Sequence, residues 1–190
     1  MKSTKIALFS MVALFFVTVT ACDTNASQQN NTTEATSTPE ITEAMVLEAQ
    51  QAWIRALVSI GEAEDPQARA NEVLTNYYDY DNGSVLFKPT LAYGDLTFRP
   101  TKEGALSYFV GGNDDFAQDG GFALRPYVSG EVEMGGVVSF GDVAIAMSNI
   151  TLTAADGSTV MVNKTFAYRM DDEGNMRIIT HHSSLPFSPN

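Results

Sequence analysis

The sequence is poor in the side chains that usually build a transition-metal or thiol active site. It contains one cysteine, Cys22, and two histidines, His181 and His182. A tetrahedral zinc site normally takes three or four cysteine or histidine ligands. Neighbours on a strand point to opposite faces, so His181 and His182 are not expected to reach the same ion. These shortages exclude zinc sites of three histidines, or of two cysteines and one histidine, within one chain.

Signals for nucleophilic and nucleotide chemistry are also missing. Ser183 and Ser184 follow the histidines, but no Gly-x-Ser-x-Gly turn surrounds either of them. The Gly111-Gly112 pair follows a predicted helix instead of preceding one, so it is a helix cap and not a phosphate-binding loop.

Positive charge is scarce, since 11 lysines and arginines face 23 acidic residues and the formal charge is -12. Without Lys2 and Lys5 the charge becomes -14. Such a chain repels nucleic acid, so we expect no nucleic-acid partner. The many carboxylates leave open a site for a harder metal ion. The acidic clusters lie in predicted turns, however, where acids are usually only solvated, at 79–81, 114–115 and 171–173.

The first residues are typical of a bacterial lipoprotein signal. Lys2 and Lys5 precede an apolar run from 6 to 19, which is too short for a membrane span. The sequence Val-Thr-Ala-Cys ending at Cys22 is similar to a lipobox, whose cysteine is lipidated after cleavage. An ordinary cleaved signal followed by an unrelated cysteine is the alternative. We therefore expect residues 1–21 to be a signal peptide and Cys22 to anchor the chain on the periplasmic side of the membrane, in the cell envelope.

Residues 22–40 are predicted to form a flexible tether between this lipid and a folded domain at 41–190. The tether contains almost no large apolar side chain, so it cannot bury enough surface to fold. Asp23 resembles an inner-membrane retention signal, but the choice between the inner and outer membranes stays open.

The folded domain is predicted to be α+β. Apolar residues recur at helical spacing from Val46 to Ile60, Asp65-Pro66 opens a second helix, and Thr101 caps a third. Tyr77-Tyr78 are interpreted as core residues with solvated hydroxyls. A twisted, mainly antiparallel sheet should curl round the helices into a cone with a pocket at its mouth. The predicted strands are SVLFKPT, DLTFR, GFALRPYVSGEVE, GVVSF, VAIAMSNITLT, STVMVNKTFAYRM and MRIITHHSS.

Strict alternation along the last strand places a histidine and a serine on the same face. One predicted face carries Arg177, Ile179, His181 and Ser183. The other predicted face carries Met176, Ile178, Thr180, His182 and Ser184. A lone histidine on such a strand is more often a structural residue, but the paired serine favours a functional role for the face that points inward.

Several segments of the domain resemble the iota class of carbonic anhydrases. They are LFKPTLAYG, TKEGALSYFVGGN, GFALRPY, LTAADGSTV with NKTF after it, and the terminal IITHHSSLPFSP. The resemblance covers residues 53–189. That family is built on a domain similar to the association domain of calcium/calmodulin-dependent kinase II, within the cone-shaped NTF2-like fold. Since this fold carries many unrelated functions, the quoted segments and not the fold carry the resemblance.

The resemblance implies reversible hydration of carbon dioxide to bicarbonate, without a metal in the members most similar to this chain. It implies that Thr90, Tyr108 and Ser183 hold bicarbonate, with His181 beside them. Phe166 is a further candidate for substrate contact, at a position where the family commonly has tryptophan. Other members have been associated with manganese or zinc, so the resemblance alone leaves the cofactor open. The shortage of histidine and cysteine favours the metal-free form.

These residues lead to a hypothesis for the mechanism. A zinc-bound water has a pKa of about 7, whereas an unbound water must lose its proton as it attacks. An imidazole with an ordinary pKa of about 6.5 is the natural acceptor, so His181 is predicted to take or relay that proton. The three hydroxyls would donate hydrogen bonds to the oxygens that gain negative charge. An apolar wall would hold carbon dioxide, formed by Phe87, Phe109 and Phe166.

Other readings of the sequence remain open. Thr90 could only cap a turn, Tyr108 could be a core residue, and Lys88 could be solvated instead of attracting bicarbonate. The whole domain could be a non-catalytic module that binds a small ligand or assembles oligomers. It could also be an isomerase or cyclase, which would need a wide cavity with a carboxylate inside it. NTF2-like cones commonly pair through their sheets, so we expect a homodimer.

Overall fold

The computed structural model describes residues 40–189 and contains the three predicted helices. Helix α1 spans Glu43–Glu62, α2 spans Pro66–Tyr77 and α3 spans Lys102–Val110. Each helix begins after a side chain that accepts a hydrogen bond from a backbone amide of the first turn. These capping residues are Thr42, Asp65 and Thr101. Within the described range, none of the helices has the length and apolar character needed to cross a membrane.

The predictions for the N-terminal segment lie outside the described residues. These are the signal peptide at 1–21, the lipidated Cys22 and the tether up to residue 39. The described part begins at Glu40, the last residue of the predicted tether.

Five strands form one sheet in the order β1-β5-β4-β3-β2. Strand β1 is parallel to β5, and the other neighbouring pairs are antiparallel. The predicted α+β class, with helices packed against a mainly antiparallel sheet, is confirmed. The strands are β1 Leu86–Lys88, β2 Tyr127–Phe140, β3 Val143–Ala154, β4 Thr159–Met170 and β5 Met176–Ser184.

Three predicted strand segments differ from the structure. DLTFR is not a strand, because its first residues belong to a 3-10 turn at Gly94–Leu96. The start of GFALRPYVSGEVE is another 3-10 turn, at Phe122–Leu124. The rest of that segment and GVVSF form the single strand β2, with a register shift between Met134 and Gly136. Gly135 therefore lies in a β-bulge within one strand and not between two strands, a position where glycine is common.

A register shift between β4 and β5 changes which residues of β5 point inward. Tyr168 pairs with Ile178 and Ala167 pairs with Thr180, which leaves Ile179 without a partner. The extra residue reverses the alternation on its N-terminal side. Ile178 is therefore buried on the same side as His181 and Ser183, and the predicted grouping of Ile178 with His182 is wrong.

The helices cover the inner face of the sheet, and the core lies between these layers. Trp53 on α1 is fully buried and stacks edge-on against Phe166 of β4, with ring centroids 5.8 Å apart. Its indole Nε1 donates to the Tyr78 hydroxyl at 2.9 Å. Tyr78 has no exposed surface, so the prediction of a solvated hydroxyl is wrong for this residue. Its hydroxyl belongs instead to a series of hydrogen-bonded polar side chains in the centre of the core.

Candidate active site

The structure brings together the hydroxyls of Thr90 and Ser183, which are far apart in the sequence. Strand β1 lies parallel to β5, with Phe87 opposite His181. The chain beyond β1 therefore runs along the end of β5, and Thr90 Oγ1 lies 2.6 Å from Ser183 Oγ. Both side chains are buried. Lys88 donates to the Ser183 carbonyl oxygen at 2.9 Å, so it helps to hold β5 in place and is not simply solvated.

Tyr108 adds a phenol to this pair of hydroxyls. It lies in the last turn of α3, and its ring packs against Phe87 and Phe122 at centroid distances of 5.8 and 5.4 Å. Its hydroxyl is buried and makes no hydrogen bond within residues 40–189. Burial raises the pKa of Tyr108 to about 12, although the nearby Thr90 hydroxyl and Leu91 backbone partly oppose that effect. The phenol is therefore neutral and has a hydrogen to donate.

His181 is buried and hydrogen-bonded at both ring nitrogens. Nδ1 lies 2.9 Å from the Tyr78 hydroxyl, and Nε2 lies 2.8 Å from Lys164 Nζ. Burial and the nearby amine of Lys164 hold the pKa of His181 well below its ordinary value. The imidazole is therefore neutral at pH 7 and cannot store a proton there. His182, the next residue, is exposed, as the opposite-face argument predicted.

The predicted aromatic wall encloses the imidazole. The rings of Phe87 and Phe166 lie on either side of His181, with centroids 4.6 and 4.5 Å from it and planes tilted by 19° and 30°. Phe109 stacks on Phe87 at 5.9 Å. All three phenylalanines are buried. This sandwich fixes the plane of the imidazole ring and keeps its surroundings dry.

Lys164 is the residue of this region that the sequence analysis did not single out. It is only 3% exposed, and its Nζ lies 4.5 Å from the Trp53 ring centroid. Burial, reinforced by the charge of Lys88, lowers the pKa of Lys164 to about 7. A signal was present in β4, where Val162, Lys164 and Phe166 alternate, so that the lysine occupies a position of the inward face.

A small cavity leads to the Tyr108 ring. Its volume is about 150 Å³, and Gln118, Asp119, Gly121 and Arg125 also line it. Asp119 forms a buried salt bridge with Arg99 at 2.9 Å. The cavity is small, and the carboxylate in its wall is already paired. The arrangement therefore suits a ligand of a few atoms better than the larger substrate of an isomerase or cyclase.

Acidic residues of the predicted turns form ion pairs and hydrogen bonds within the fold. Asp79 binds the Arg169 guanidinium, with Nη2 2.8 Å from Oδ1, and Asp171 accepts the backbone amide of Asn175 at 2.7 Å. Among residues 40–189, no three or more His, Cys, Asp or Glu side chains form a group that could hold a metal ion.

Comparison with known proteins identifies the family. The model of the metal-independent carbonic anhydrases matches residues 44–185. The chain belongs to this family. A metal-independent carbonic anhydrase from Nostoc sp. (strain PCC 7120 / SAG 25.82 / UTEX 2576) is 40% identical over 96% of this chain and 95% of its own length. The resemblance drawn from the sequence segments is therefore confirmed, and the family agrees with the expectation of a metal-free enzyme.

Solved structures support the same assignment. The crystal structure of a cyanobacterial iota-carbonic anhydrase complexed with bicarbonate has a TM-score of 0.77 and 44% identity, covering 79% of this chain and 95% of that one. A candidate ketosteroid isomerase from Parabacteroides distasonis has a TM-score of 0.50 and 18% identity, covering 75% and 86%. The second likeness concerns the fold alone.

Proposed function

We propose that this member of the metal-independent carbonic anhydrases catalyses the reversible hydration of carbon dioxide to bicarbonate without a metal. The observation that carries the proposal is the buried Thr90–Ser183 hydroxyl pair beside the unpartnered phenol of Tyr108. The solved relative that is 44% identical was crystallised with bicarbonate, which supports the choice of ligand.

The three hydroxyls are suited to the charge that develops during the reaction. As water adds to carbon dioxide, negative charge grows on the carbon dioxide oxygens. Tyr108 has a free hydrogen to donate to one of them, and the Thr90–Ser183 pair has only one of its two hydrogens committed to their mutual bond. A donor aimed at such a developing charge in a dry site contributes about 3 kcal/mol of transition-state stabilisation.

His181 remains the proposed proton-transfer group, with a narrower role than the sequence suggested. Its lowered pKa makes it a poor store for a proton near neutrality. Hydrogen bonds at both ring nitrogens suit it instead to pass a proton between neighbours. Phe166 is proposed to hold this ring in place and to form part of the apolar wall beside carbon dioxide.

Stopped-flow hydration of carbon dioxide tests this function, with and without a strong chelator. The comparison uses the purified chain, Ser183→Ala and the control Ser184→Ala, whose side chain is on the other face of β5. We expect chelator-resistant turnover that falls about 100-fold in Ser183→Ala, as for loss of one charge-stabilising donor, and is kept in Ser184→Ala. Turnover lost to the chelator would overturn the metal-free proposal. An inactive wild-type protein that still binds bicarbonate would make the domain a binding module.

We also propose that the protein forms a homodimer through the outer face of its sheet. That face carries large apolar side chains that are 42% to 64% exposed, which a second copy would cover. Sedimentation velocity of the wild type and of Met147→Asp tests the pairing, since a buried aspartate would dissociate the dimer. An unchanged sedimentation coefficient would contradict it. The exposed side chains are Val138, Phe140, Ile145, Met147 and Met161.

The membrane anchor is a further proposal that rests on the sequence alone. We propose that Cys22 is lipidated and holds the enzyme on the periplasmic side of the membrane, where it acts on carbon dioxide and bicarbonate. Mass spectrometry of the mature N-terminus from a bacterial host tests this. A diacyl or triacyl cysteine is expected, and an unmodified N-terminus would contradict it.

A further inference from the structure

Trp53 favours one direction for the hydrogen bonds around His181. An indole Nε1 can only donate, so Trp53 donates to the Tyr78 oxygen at 2.9 Å. The Tyr78 hydrogen is then free to be donated to Nδ1 of His181, 2.9 Å away. An imidazole that accepts at Nδ1 and is neutral carries its hydrogen on Nε2, which faces Lys164 Nζ at 2.8 Å. The chain of donors therefore ends at Lys164.

A lysine can complete this chain only as a neutral amine. An ammonium group has no lone pair and cannot accept from an Nε2–H group. Protonation of Lys164 would reverse the contact, because the ammonium would then donate to Nε2 and the imidazole hydrogen would move to Nδ1. The charge of Lys164 and the tautomer of His181 are therefore coupled, and the imidazole stays neutral in both states.

The surroundings of Lys164 allow both charge states near neutral pH. The indole of Trp53 on α1 and, less closely, the ring of Phe166 on β4 present faces that attract a cation. Burial opposes the cation, as does the positive charge of Lys88 on β1, and together these lower the pKa of Lys164 to about 7. On β5 the neighbouring titratable groups are the neutral His181 and His182. Within residues 40–189, Lys164 forms no salt bridge with a carboxylate.

Lys164 also lies next to the hydroxyl pair. In the register of β4 and β5 it is directly opposite Ser183, and in the register of β3 and β4 it is directly opposite Ser148. All three side chains are buried and form one polar row across the sheet. Opposite residues on antiparallel strands have Cβ atoms about 5 Å apart. The Lys164 side chain thus starts beside that of Ser183, whose hydroxyl is proposed to hold bicarbonate, and its amine ends at Nε2 of His181.

We propose that Lys164 holds the proton that is released when water adds to carbon dioxide, with His181 as the partner that adjusts its tautomer to the charge of the amine. The inference rests on the proposed function. The water oxygen forms a bond to the carbon of carbon dioxide, one water O–H bond breaks, and its proton ends on the Lys164 amine. Nothing is oxidised or reduced. In the dehydration direction the ammonium returns the proton, and after hydration the proton leaves to buffer.

The pH dependence of hydration at low buffer concentration tests this role. Hydration needs the neutral amine, so kcat of the wild type should rise with pH and level off above about 7. In Lys164→Met this inflection should disappear, and kcat should fall about 100-fold, as for loss of a general base. The control Lys102→Met removes the lysine at the start of α3, which donates to the Thr75 hydroxyl on α2, and its profile should match that of the wild type.

A folded Lys164→Met protein that keeps the wild-type pH profile would overturn the inference while leaving the proposed function intact. A wild-type protein without turnover would overturn both. In His181→Gln, which cannot ionise, an inflection near pH 7 should persist at lower activity; its loss would assign the proton to His181 instead. If Lys164→Met does not fold, NMR of Cε-labelled lysine in the wild type decides, since an assigned Lys164 resonance titrating only above pH 9 refutes the inference.

Discussion

Replacing Lys164 with methionine should stabilise the protein, by an amount that depends on pH. The residue is 3% exposed, and burial lowers its pKa from 10.5 to about 7. Between those values the unfolded chain binds a proton that the folded chain does not, so stability rises with pH across that window. The cost of the buried amine to the free energy of unfolding is about 4 kcal/mol at pH 7 and about 2 kcal/mol at pH 9.

Methionine fills a similar volume without a charge, so the variant should be more stable than the wild type at pH 7 and should lose that advantage as the pH rises. Urea unfolding at pH 7, 8 and 9 measures the difference, and a change of about 2 kcal/mol corresponds to a shift of about 1 M in the midpoint. Lys102→Met provides the control for loss of an ordinary lysine. Parallel stability curves for wild type and Lys164→Met between pH 7 and 9 would refute a lowered pKa for the buried amine.

Three other substitutions test the remaining parts of the molecule. Tyr108→Phe should lower kcat/KM for hydration about 100-fold, measured by stopped flow, without unfolding the domain. The control Tyr168→Phe also removes a buried unpartnered hydroxyl, and it should leave kcat/KM unchanged in the same assay. Asp79→Asn should destabilise the protein by about 2 kcal/mol at pH 7, because the Arg169 guanidinium loses its charged partner. The pKa of Asp79 is lowered in the fold, so the stability that its carboxylate contributes is present above about pH 4 and is lost as the pH falls further. The thermal unfolding midpoints of wild type and variant should therefore converge at low pH. Gly121→Ala should cost about 1 to 2 kcal/mol, measured by urea unfolding, since φ is +76° and a Cβ there would lie 2.7 Å from a leucine side chain; equal midpoints would contradict this.

Sequence reasoning succeeded where the signals are local. The predicted helix starts at Asp65 and Thr101 depend on a side chain and an amide three residues apart, and both are formed. The β-bulges at Gly135 and Ile179 were not predicted, because a bulge depends on the partner strand. One strand was therefore predicted as two, with a break at Met134-Gly135, and Ile178 was placed on the wrong face.

The residues of the candidate site were also hard to predict wherever they depend on distant contacts. Thr90 and Ser183 were named from a family resemblance, since nothing in their local sequence indicates that their hydroxyls meet across 93 residues. Tyr78 was taken for a solvated residue because its partners, Trp53 and His181, lie 25 and 103 positions away. Lys164 was overlooked because a lysine on a strand is normally exposed, and only the assembled core shows it enclosed by aromatic rings.

The parallel pairing of β1 with β5 has a consequence for how the enzyme acquires activity during folding. Loop-closure entropy delays contacts between distant parts of a chain, so the meeting of Thr90 with Ser183 belongs to the slow, global step of folding. The helices can form early from their own sequence, but they carry only one of the three hydroxyls. A partly folded chain with native helices therefore lacks the proposed bicarbonate site, and activity should return during refolding together with the last strand and not before it.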